Sequence, residues 1–451
     1  MGRRRRQKKA ILTMDRLDFK GISGLTDDGQ RWMAKGACVG DVVEVQTKRK
    51  GKAALIDILE YSSNRVEPSC PHFLTCGGCQ LQHTAPNEQR RLKEDMIRRL
   101  FADFQGTIHP LRASEDTLHY RNKMELSFGT RRFYTDPEEA NTATPGSYLG
   151  MHPWQWHSKI VPLSQCDLAH PSIDAAIRLL AQNPPTPAWN TYDQSGVWRH
   201  VVFRYGGGLL INLITSSAAE RSDVLCVLEQ LKTLPDLRGV LWTINDGLAE
   251  VATGTLQEIL FGTDTLEISF GGKTMEIPHT GFAQVNDDGA EILLDCIREA
   301  CGESQRLLDL YCGSGTIGIA LSDHFEEVIG IEIQPEAIER ATRNAERNQV
   351  QGHWFAGKVE ETLSKVQTGP GSTILLDPPR EGLHPKACQF FATQDADCLV
   401  YVACNPKSLE RDRVILESGN WMMTDLWMVD MFPQTPHVEC VGKFIRSPQQ
   451  D

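Results

Sequence analysis

The chain has 451 residues, of which 40% are hydrophobic and 24% charged, and a formal net charge of −12 at pH 7. This length predicts two or three domains of a soluble globular protein. No apolar run is long enough to span a bilayer, and the charged N-terminus has no apolar segment behind it, so neither a membrane protein nor a secreted one is expected and the location should be cytoplasmic.

The chain opens with "MGRRRRQKKA". Residues 1–10 are expected to be a basic flexible arm, either a tail that captures a polyanion or a solvated extension. Residues 11–66 give short alternating strands with turns at Asp27-Asp28-Gly29 and Gly36. Val42, Val43 and Val45 precede a basic turn from Lys48 to Lys52. This pattern predicts a five-stranded barrel of OB type, with a turn suited to RNA contact. An amphipathic helix is expected near 87–104. A central α+β region to residue 280 includes "YRNKMELSF" and "HVVFRYGGGLLINLIT", whose alternation suits an antiparallel sheet. From 281 to 451 the texture changes. "RLLDLYCGSGTIGIAL", "EVIGIEI", "STILLDPP" and "DCLVYVAC" are apolar strand-like runs separated by helical stretches, the signature of a doubly wound α/β domain with a parallel sheet. There are no internal repeats.

Thirteen cysteines in a chain without a signal peptide do not make a disulfide framework, and most should be core thiols. Cys70, Cys76 and Cys79 differ. Their C-x5-C-x2-C spacing surrounds a Gly-Gly turn that lets the backbone fold tightly around a metal, and a fourth ligand must come from elsewhere. Four thiolates suit tetrahedral zinc or a [4Fe–4S] cluster, and spacing does not separate the two.

Gly313, Gly315 and Gly318 follow a predicted strand in "LDLYCGSGTIG". The pattern admits a dinucleotide. Asp309, four residues before the first glycine, would repel a pyrophosphate but suits a cofactor carrying an amino group and a sulfonium. Glu332 ends the next strand, where its carboxylate can accept hydrogen bonds from ribose hydroxyls. The turn resembles the S-adenosylmethionine site of class I methyltransferases. Asp377 ends another strand in "LLDPPR". Amino-methylating enzymes of this fold carry an aromatic after the two prolines. Arg380 stands there instead, which argues against methylation of an exocyclic nitrogen.

Cys404 ends the strand after Asp377, and in a doubly wound sheet these strand ends open onto one crevice. A thiolate there is a strong nucleophile. Carbon 5 of uracil is too weakly nucleophilic to take a methyl group unaided. Adding a thiolate at carbon 6 makes an enolate that can, after which a base must remove the carbon-5 proton. "FPQTPHVECV" offers Glu439 for that step, beside His437.

"LDLYCGSGT", "LLDPPREGL", "ACNP" and "FPQTPHVE", in this order, resemble the RNA 5-methyluridine (uracil-C5) methyltransferase family over nearly the whole chain. The N-terminal barrel looks like that family's TRAM domain and the cysteine cluster like its iron–sulfur site, a combination most similar to the RlmD (RumA) subgroup, which modifies 23S ribosomal RNA. The resemblance implies a covalent enzyme–RNA intermediate at Cys404 with Glu439 as general base. It implies cofactor contacts at Gln284 (in "TGFAQVN"), Tyr311, Gly313, Thr316, Glu332 and Asp377, with Phe282 stacking on the target base. It also implies Cys166 as the fourth cysteine ligand, and favours a [4Fe–4S] cluster in a structural role. The family pattern is not complete here. Ala403 stands where serine is frequent, Gln434 and Pro436 replace the usual His and Gly, and the segment near Lys358 lacks a polar residue to face the adenine.

The expected function is therefore S-adenosylmethionine-dependent methylation of uracil C5 in RNA, 23S ribosomal RNA foremost. The same chemistry on a transfer RNA T-loop uridine is the alternative. An inactive RNA-binding assembly factor and a dinucleotide-dependent iron–sulfur oxidoreductase are the rivals from other classes. Arg121 and Lys123 in "YRNKMELSF" are candidates for phosphate contact or for a solvated edge. The target base must be unpaired or flipped out of its stack. No obligate protein partner is evident.

Overall fold

The computed structural model describes residues 8–142, 146–154, 156, 158–363, 366 and 368–446. Residues 1–7 of the basic arm lie outside that set. The rest of the arm is not a tail: Lys9 and Ala10 open the strand Lys9–Asp18, and the Lys9 ammonium meets Glu44 at 3.1 Å. The chain forms two compact units, neither contiguous in sequence. The first comprises residues 1–92, 116–266 and 433–436, the second 93–115, 267–432 and 437–451.

The first unit begins with a barrel. The strands Lys9–Asp18, Gly21–Leu25, Arg31–Ala34, Val42–Thr47 and Lys52–Glu60 close in the order first, second, third, fifth, fourth. Alternation drives this: Leu12, Met14, Val43 and Val45 point inward and are fully buried. Asp41 closes the barrel's end. Its carboxylate accepts the Cys38 and Ser62 N–H groups at 2.6 and 2.9 Å and the Arg65 guanidinium at 2.5 Å.

The same unit holds a seven-stranded sheet in the order Thr255–Gly262, Leu237–Ile244, Leu209–Thr215, Trp198–Tyr205, Lys123–Gly129, Tyr148–Met151, Val161–Pro162. The expected antiparallel pairing holds for all but one neighbour pair. Leu209–Thr215 and Leu237–Ile244 run parallel because the helix Arg221–Leu231 carries the chain back between them. Nor do the central strands alternate. Every residue of Leu209–Thr215 and all but the last of Trp198–Tyr205 are buried, with side chains from the helices Pro171–Gln182 and Arg221–Leu231 in the same core.

The second unit carries an eight-stranded sheet in the order Gly352–Ala356, Glu327–Glu332, Arg306–Leu310, Gly369–Leu376, Ala396–Ala403, Glu439–Arg446, Trp421–Val429, Thr107–Arg112. The first five strands are parallel. Glu439–Arg446 runs antiparallel to both neighbours. This is a doubly wound sheet with an antiparallel insertion near one edge.

The boundary of this unit differs from a simple start at residue 281. The hairpin Thr265–Phe270 and Lys273–Pro278 buries Met275 and Ile277 in the same core as the helix Asp287–Cys301, so the unit starts at Glu267. The expected helix near 87–104 spans Pro86–Leu100. Its end joins the catalytic unit at Lys93, and the strand Thr107–Arg112 then extends the sheet edge. Lys93 is fully buried, its ammonium 2.6 Å from Asp430 and 2.9 Å from the Phe432 carbonyl. Removing one member of a buried pair strands the other charge. Lys93→Met should therefore lower the stability of this unit by about 3–5 kcal/mol, read as a fall in the urea midpoint. Lys358→Met, which breaks the exposed contact to Glu361, should cost less than about 1 kcal/mol.

Candidate active site

The site is built by strand register. Leu310 pairs with Ile331 on one side and Leu376 on the other, and Leu376 pairs with Tyr401. Tyr311, Glu332, Asp377 and Cys404 consequently sit together at the carboxyl ends of parallel strands, where doubly wound sheets bind ligands. Ala403 is opposite Cys440 on the antiparallel strand. That pairing places Glu439, the first residue of its strand, at the level of Cys404.

The glycine turn follows from local chemistry. Tyr311, Gly313 and Gly315 have positive φ values of 67°, 54° and 77°, a region glycine enters freely and tyrosine does not. The Tyr311 and Cys312 N–H groups donate to the Ile331 carbonyl at 2.9 and 3.2 Å, and this holds the turn. Gly315 then caps the helix Thr316–Leu321. Glu332 accepts the Gly313 N–H at 3.3 Å and the Gln334 N–H at 3.1 Å. Asp309 accepts the Gly318 N–H at 2.9 Å, and a Cβ at Gly318 would lie 2.7 Å from that carboxylate oxygen. The other Asp309 oxygen is buried without a partner.

A cleft of about 830 Å3, its open mouth included, lies over this turn. Phe282, Gln284, Tyr311, Gly313, Thr316 and Asp377 line it, together with Asp309. Phe282 is 69% exposed at its mouth. Glu332, Cys404 and Glu439 are not part of its wall. The opposite wall was not anticipated from the sequence: Ala290, Leu293, Leu294 and Ile297 of the helix Asp287–Cys301 supply an apolar face there. The signal was present as i, i+3, i+4, i+7 spacing after the N-cap Asn286, whose side chain accepts the Gly289 N–H at 3.1 Å. The cleft suits a sulfonium cofactor: an apolar wall, a glycine turn, a carboxylate beside that turn, and a buried carboxylate oxygen with no partner.

The electrostatics are dominated by buried acids. Burial pushes Asp309 up to about 7, with Asp377 and Glu332 adding repulsion. Asp377 rises to about 7 by desolvation alone. Glu439, 3% exposed, rises to about 8 through burial and then the charge of Asp377. The Cys404 thiol is pushed up to about 11 by burial, Glu439 and Asp377, while Arg380 pulls it down. Asn405 follows the thiol and begins the helix Pro406–Glu417, and its side-chain amide donates to the Arg380 carbonyl at 3.1 Å. The "PPREGL" loop is clasped further by Asp412, which accepts the Leu383 N–H at 2.9 Å and the Tyr401 hydroxyl at 2.7 Å.

In the first unit, Cys70, Cys76, Cys79 and Cys166 are free, part-buried thiols that line one cavity of about 490 Å3. The Gly78 N–H lies 3.4 Å from the Cys76 sulfur and the Gln82 side-chain amide 3.3 Å from the Cys79 sulfur. Among the described residues no group of three or more His, Cys, Asp or Glu is spaced for a single metal ion. Arg121 is redirected by the structure. It is half-buried on the wall of this cavity, and its Nε donates to the Lys123 carbonyl at 3.0 Å. Lys123 pairs with Glu125 at 2.6 Å. Gln434, which departs from the family pattern, takes a left-handed backbone with φ 68°. Its carbonyl accepts the Gln80 and Leu81 N–H groups at 2.9 and 3.0 Å, and its side chain accepts from Gln89 at 2.9 Å.

Asp309, Asp377 and Glu439 each hold a proton more tightly folded than unfolded. Their contribution to stability is present in full below about pH 4 and lost as pH rises towards about 8. Urea midpoints of the unliganded protein measured from pH 5 to 8 should fall more steeply for the parent than for Glu439→Gln. Equal slopes would contradict this electrostatic description.

A family model described as tRNA (Uracil-5-)-methyltransferase matches residues 248–447. An RNA methyltransferase of Clostridium tetani is 32% identical over 456 residues, covering 97% of each chain. One of Caldanaerobacter subterraneus is 31% identical over 464 residues, 98% of this chain and 100% of its own. The structure of Pyrococcus abyssi tRNA (uracil-54, C5)-methyltransferase in complex with S-adenosyl-L-homocysteine superposes with a TM-score of 0.75 at 24% identity, covering 96% of this chain and 99% of that one, so the two share a fold. With end-to-end relatives above 30% identity and the uracil-5 model lying over the sheet that carries the cleft, the chain belongs to the RNA (uracil-5-)methyltransferase family, which uses S-adenosylmethionine.

Proposed function

We propose that the protein methylates carbon 5 of a uracil in 23S ribosomal RNA through a transient bond between the Cys404 sulfur and carbon 6. The observation that carries this reading is the strand register that sets Cys404 level with Glu439, near Asp377 of the cleft wall. Gln284, Tyr311, Gly313, Thr316, Glu332 and Asp377 hold the cofactor, which supplies an electrophilic methyl group. Phe282 stacks on the flipped base.

The Cys404 thiolate adds to carbon 6, and the electron pair moves to give an enolate across carbons 4 and 5. Carbon 5 of that enolate is then the nucleophile for the methyl group that the cofactor would give up from its sulfonium sulfur. Glu439 as carboxylate then removes the carbon-5 proton, the carbon 5–carbon 6 double bond reforms, and the Cys404 sulfur leaves as thiolate. In the unliganded site burial first, and the neighbouring acids after it, favour the Cys404 thiol and the Glu439 carboxylic acid. A cation brought among them lowers all of these pKa values. Arg380 and the N-terminus of the helix Pro406–Glu417 act in the same direction on Cys404.

The choice of ribosomal RNA rests on the pairing of a TRAM-like barrel with the four-cysteine cavity. The second reading, a transfer RNA uridine, is favoured by the description of the matching family and by the substrate of the Pyrococcus abyssi protein. In the cavity Cys70, Cys76, Cys79 and Cys166 would hold a [4Fe–4S] cluster in a structural role. A four-iron cube spaces its sulfurs farther apart than one ion does, and N–H groups already point at two of the sulfurs.

Mapping 5-methyluridine in ribosomal and transfer RNA from a deletion strain tests the substrate, with loss from 23S RNA alone expected. Cys404→Ala should abolish methylation and any denaturant-resistant RNA adduct, whereas Glu439→Gln should slow turnover and let the adduct accumulate. Full activity of Cys404→Ala would refute the mechanism. Protein purified anaerobically should be brown, with about four iron and four sulfide per chain, and Cys166→Ser should bleach it. A colourless, zinc-loaded protein would refute the cluster.

A further inference from the structure

Outside the cleft, the first unit carries a set of cations laid over aromatic rings. The Lys52 and Lys35 ammonium groups lie 5.2 and 5.8 Å from the centre of the Trp154 ring. Lys159 lies 5.3 Å from Trp156, and the Arg131 guanidinium 4.2 Å from Tyr192. Hydrogen bonds link several of the segments that carry these residues. Ile160 N–H donates to the Arg131 carbonyl at 2.8 Å, and Trp156 N–H to the Pro153 carbonyl at 3.0 Å. The Tyr192 hydroxyl meets Ser158 at 3.4 Å.

Two features are unusual for a chain of net charge −12. Trp156 and Tyr192 are 53% and 64% exposed, although large aromatics are normally covered. The cations beside them also have no acidic partner among the described residues, while Arg112, Arg178, Arg221 and Arg306 each hold a carboxylate. Next to Trp154 a cavity of about 330 Å3 has an apolar floor of Ile22 and Met33 and a polar rim of Lys20, Lys35 and Gln80.

We propose that this belt of Trp154, Trp156 and Tyr192 with Lys52, Lys159 and Arg131 is a track for unpaired RNA nucleotides. Bases stack on the exposed rings, the unpaired cations take the phosphates, and the cavity beside Trp154 receives one base edge-on. Exposed aromatic faces alternating with free cations are what single-stranded nucleic acid requires. An acidic peptide would use the charges but leave the rings without a partner. The proposal deepens the reading of the protein as an RNA methyltransferase, and places part of its substrate contact far in sequence from the methyl-transfer chemistry.

The test uses the full chain and a fluorescein-labelled, mixed-sequence, single-stranded 15-mer RNA, with polyglutamate as competitor. Each stacking contact is worth about 1–3 kcal/mol, so the loss of even one raises the Kd about fivefold or more. The Trp156→Ala/Tyr192→Ala variant should therefore raise the Kd at least fivefold, with S-adenosylmethionine binding by calorimetry unchanged. Tyr192→Leu, which keeps bulk but removes the ring face, should weaken binding in the same direction. A change below fivefold in the double variant, or competition by polyglutamate as effective as by unlabelled RNA, overturns the proposal. Cys404→Ala separates this outcome from the mechanism: it should bind the 15-mer as the parent does while forming no 5-methyluridine.

Discussion

The catalytic unit depends on an unfavourable interaction, the burial of Asp309, Asp377 and Glu439, which raises all three pKa values, with Asp377 adding repulsion at the other two. Desolvated carboxyls without a cation hold their protons, and burial keeps the neighbouring thiol protonated as well. Buried acids at the cleft make a place for positive charge, because a sulfonium there favours their ionised form.

The geometry that brings these acids together is a property of the sheet. Parallel strands deliver Tyr311, Glu332, Asp377 and Cys404 to one edge because all of them end there. A parallel strand cannot deliver a residue at its beginning to that edge. The antiparallel strand Glu439–Arg446 does so, and its first residue arrives beside Cys404. Arg380 is held near the thiol by Asn405, and its loop by Asp412, so the cation opposing the acids at Cys404 is fixed through the loop it sits on.

Much of the methyltransferase fold was legible because buried parallel strands read as continuous apolar runs, and "RLLDL" and "EVIGIE" contain little else. The glycine turn was legible because closely spaced glycines after a strand mark a tight bend that opens into a helix and lets a ligand approach the backbone. Other features were hidden for physical reasons. Trp198–Tyr205 and Leu209–Thr215 do pair antiparallel as expected, but they are covered on both faces, so their burial on both sides could not be told from the apparent alternation. Arg121 looked like a surface cation, yet its stem lies on the wall of the cysteine cavity, and no local pattern records which wall a side chain joins. The apolar helix wall of the cleft was written in the spacing of Ala290, Leu293, Leu294 and Ile297, but the same spacing marks any core helix.

The interleaving of the two units was the least legible feature, because it involves short segments with no signature of their own. Residues 93–115 leave the first unit to build one edge of the catalytic sheet, and residues 433–436 leave the catalytic unit for the first. The second excursion is fastened by Gln434, held through its carbonyl and its side chain five residues ahead of Glu439. No single scission in the gene separates the two halves into self-sufficient products. Recombination, which readily shuffles domains joined by linkers, has no seam here to exploit. New RNA targets must then arise by point substitution on existing surfaces, with Glu439 and its carrier strand inherited as one indivisible piece.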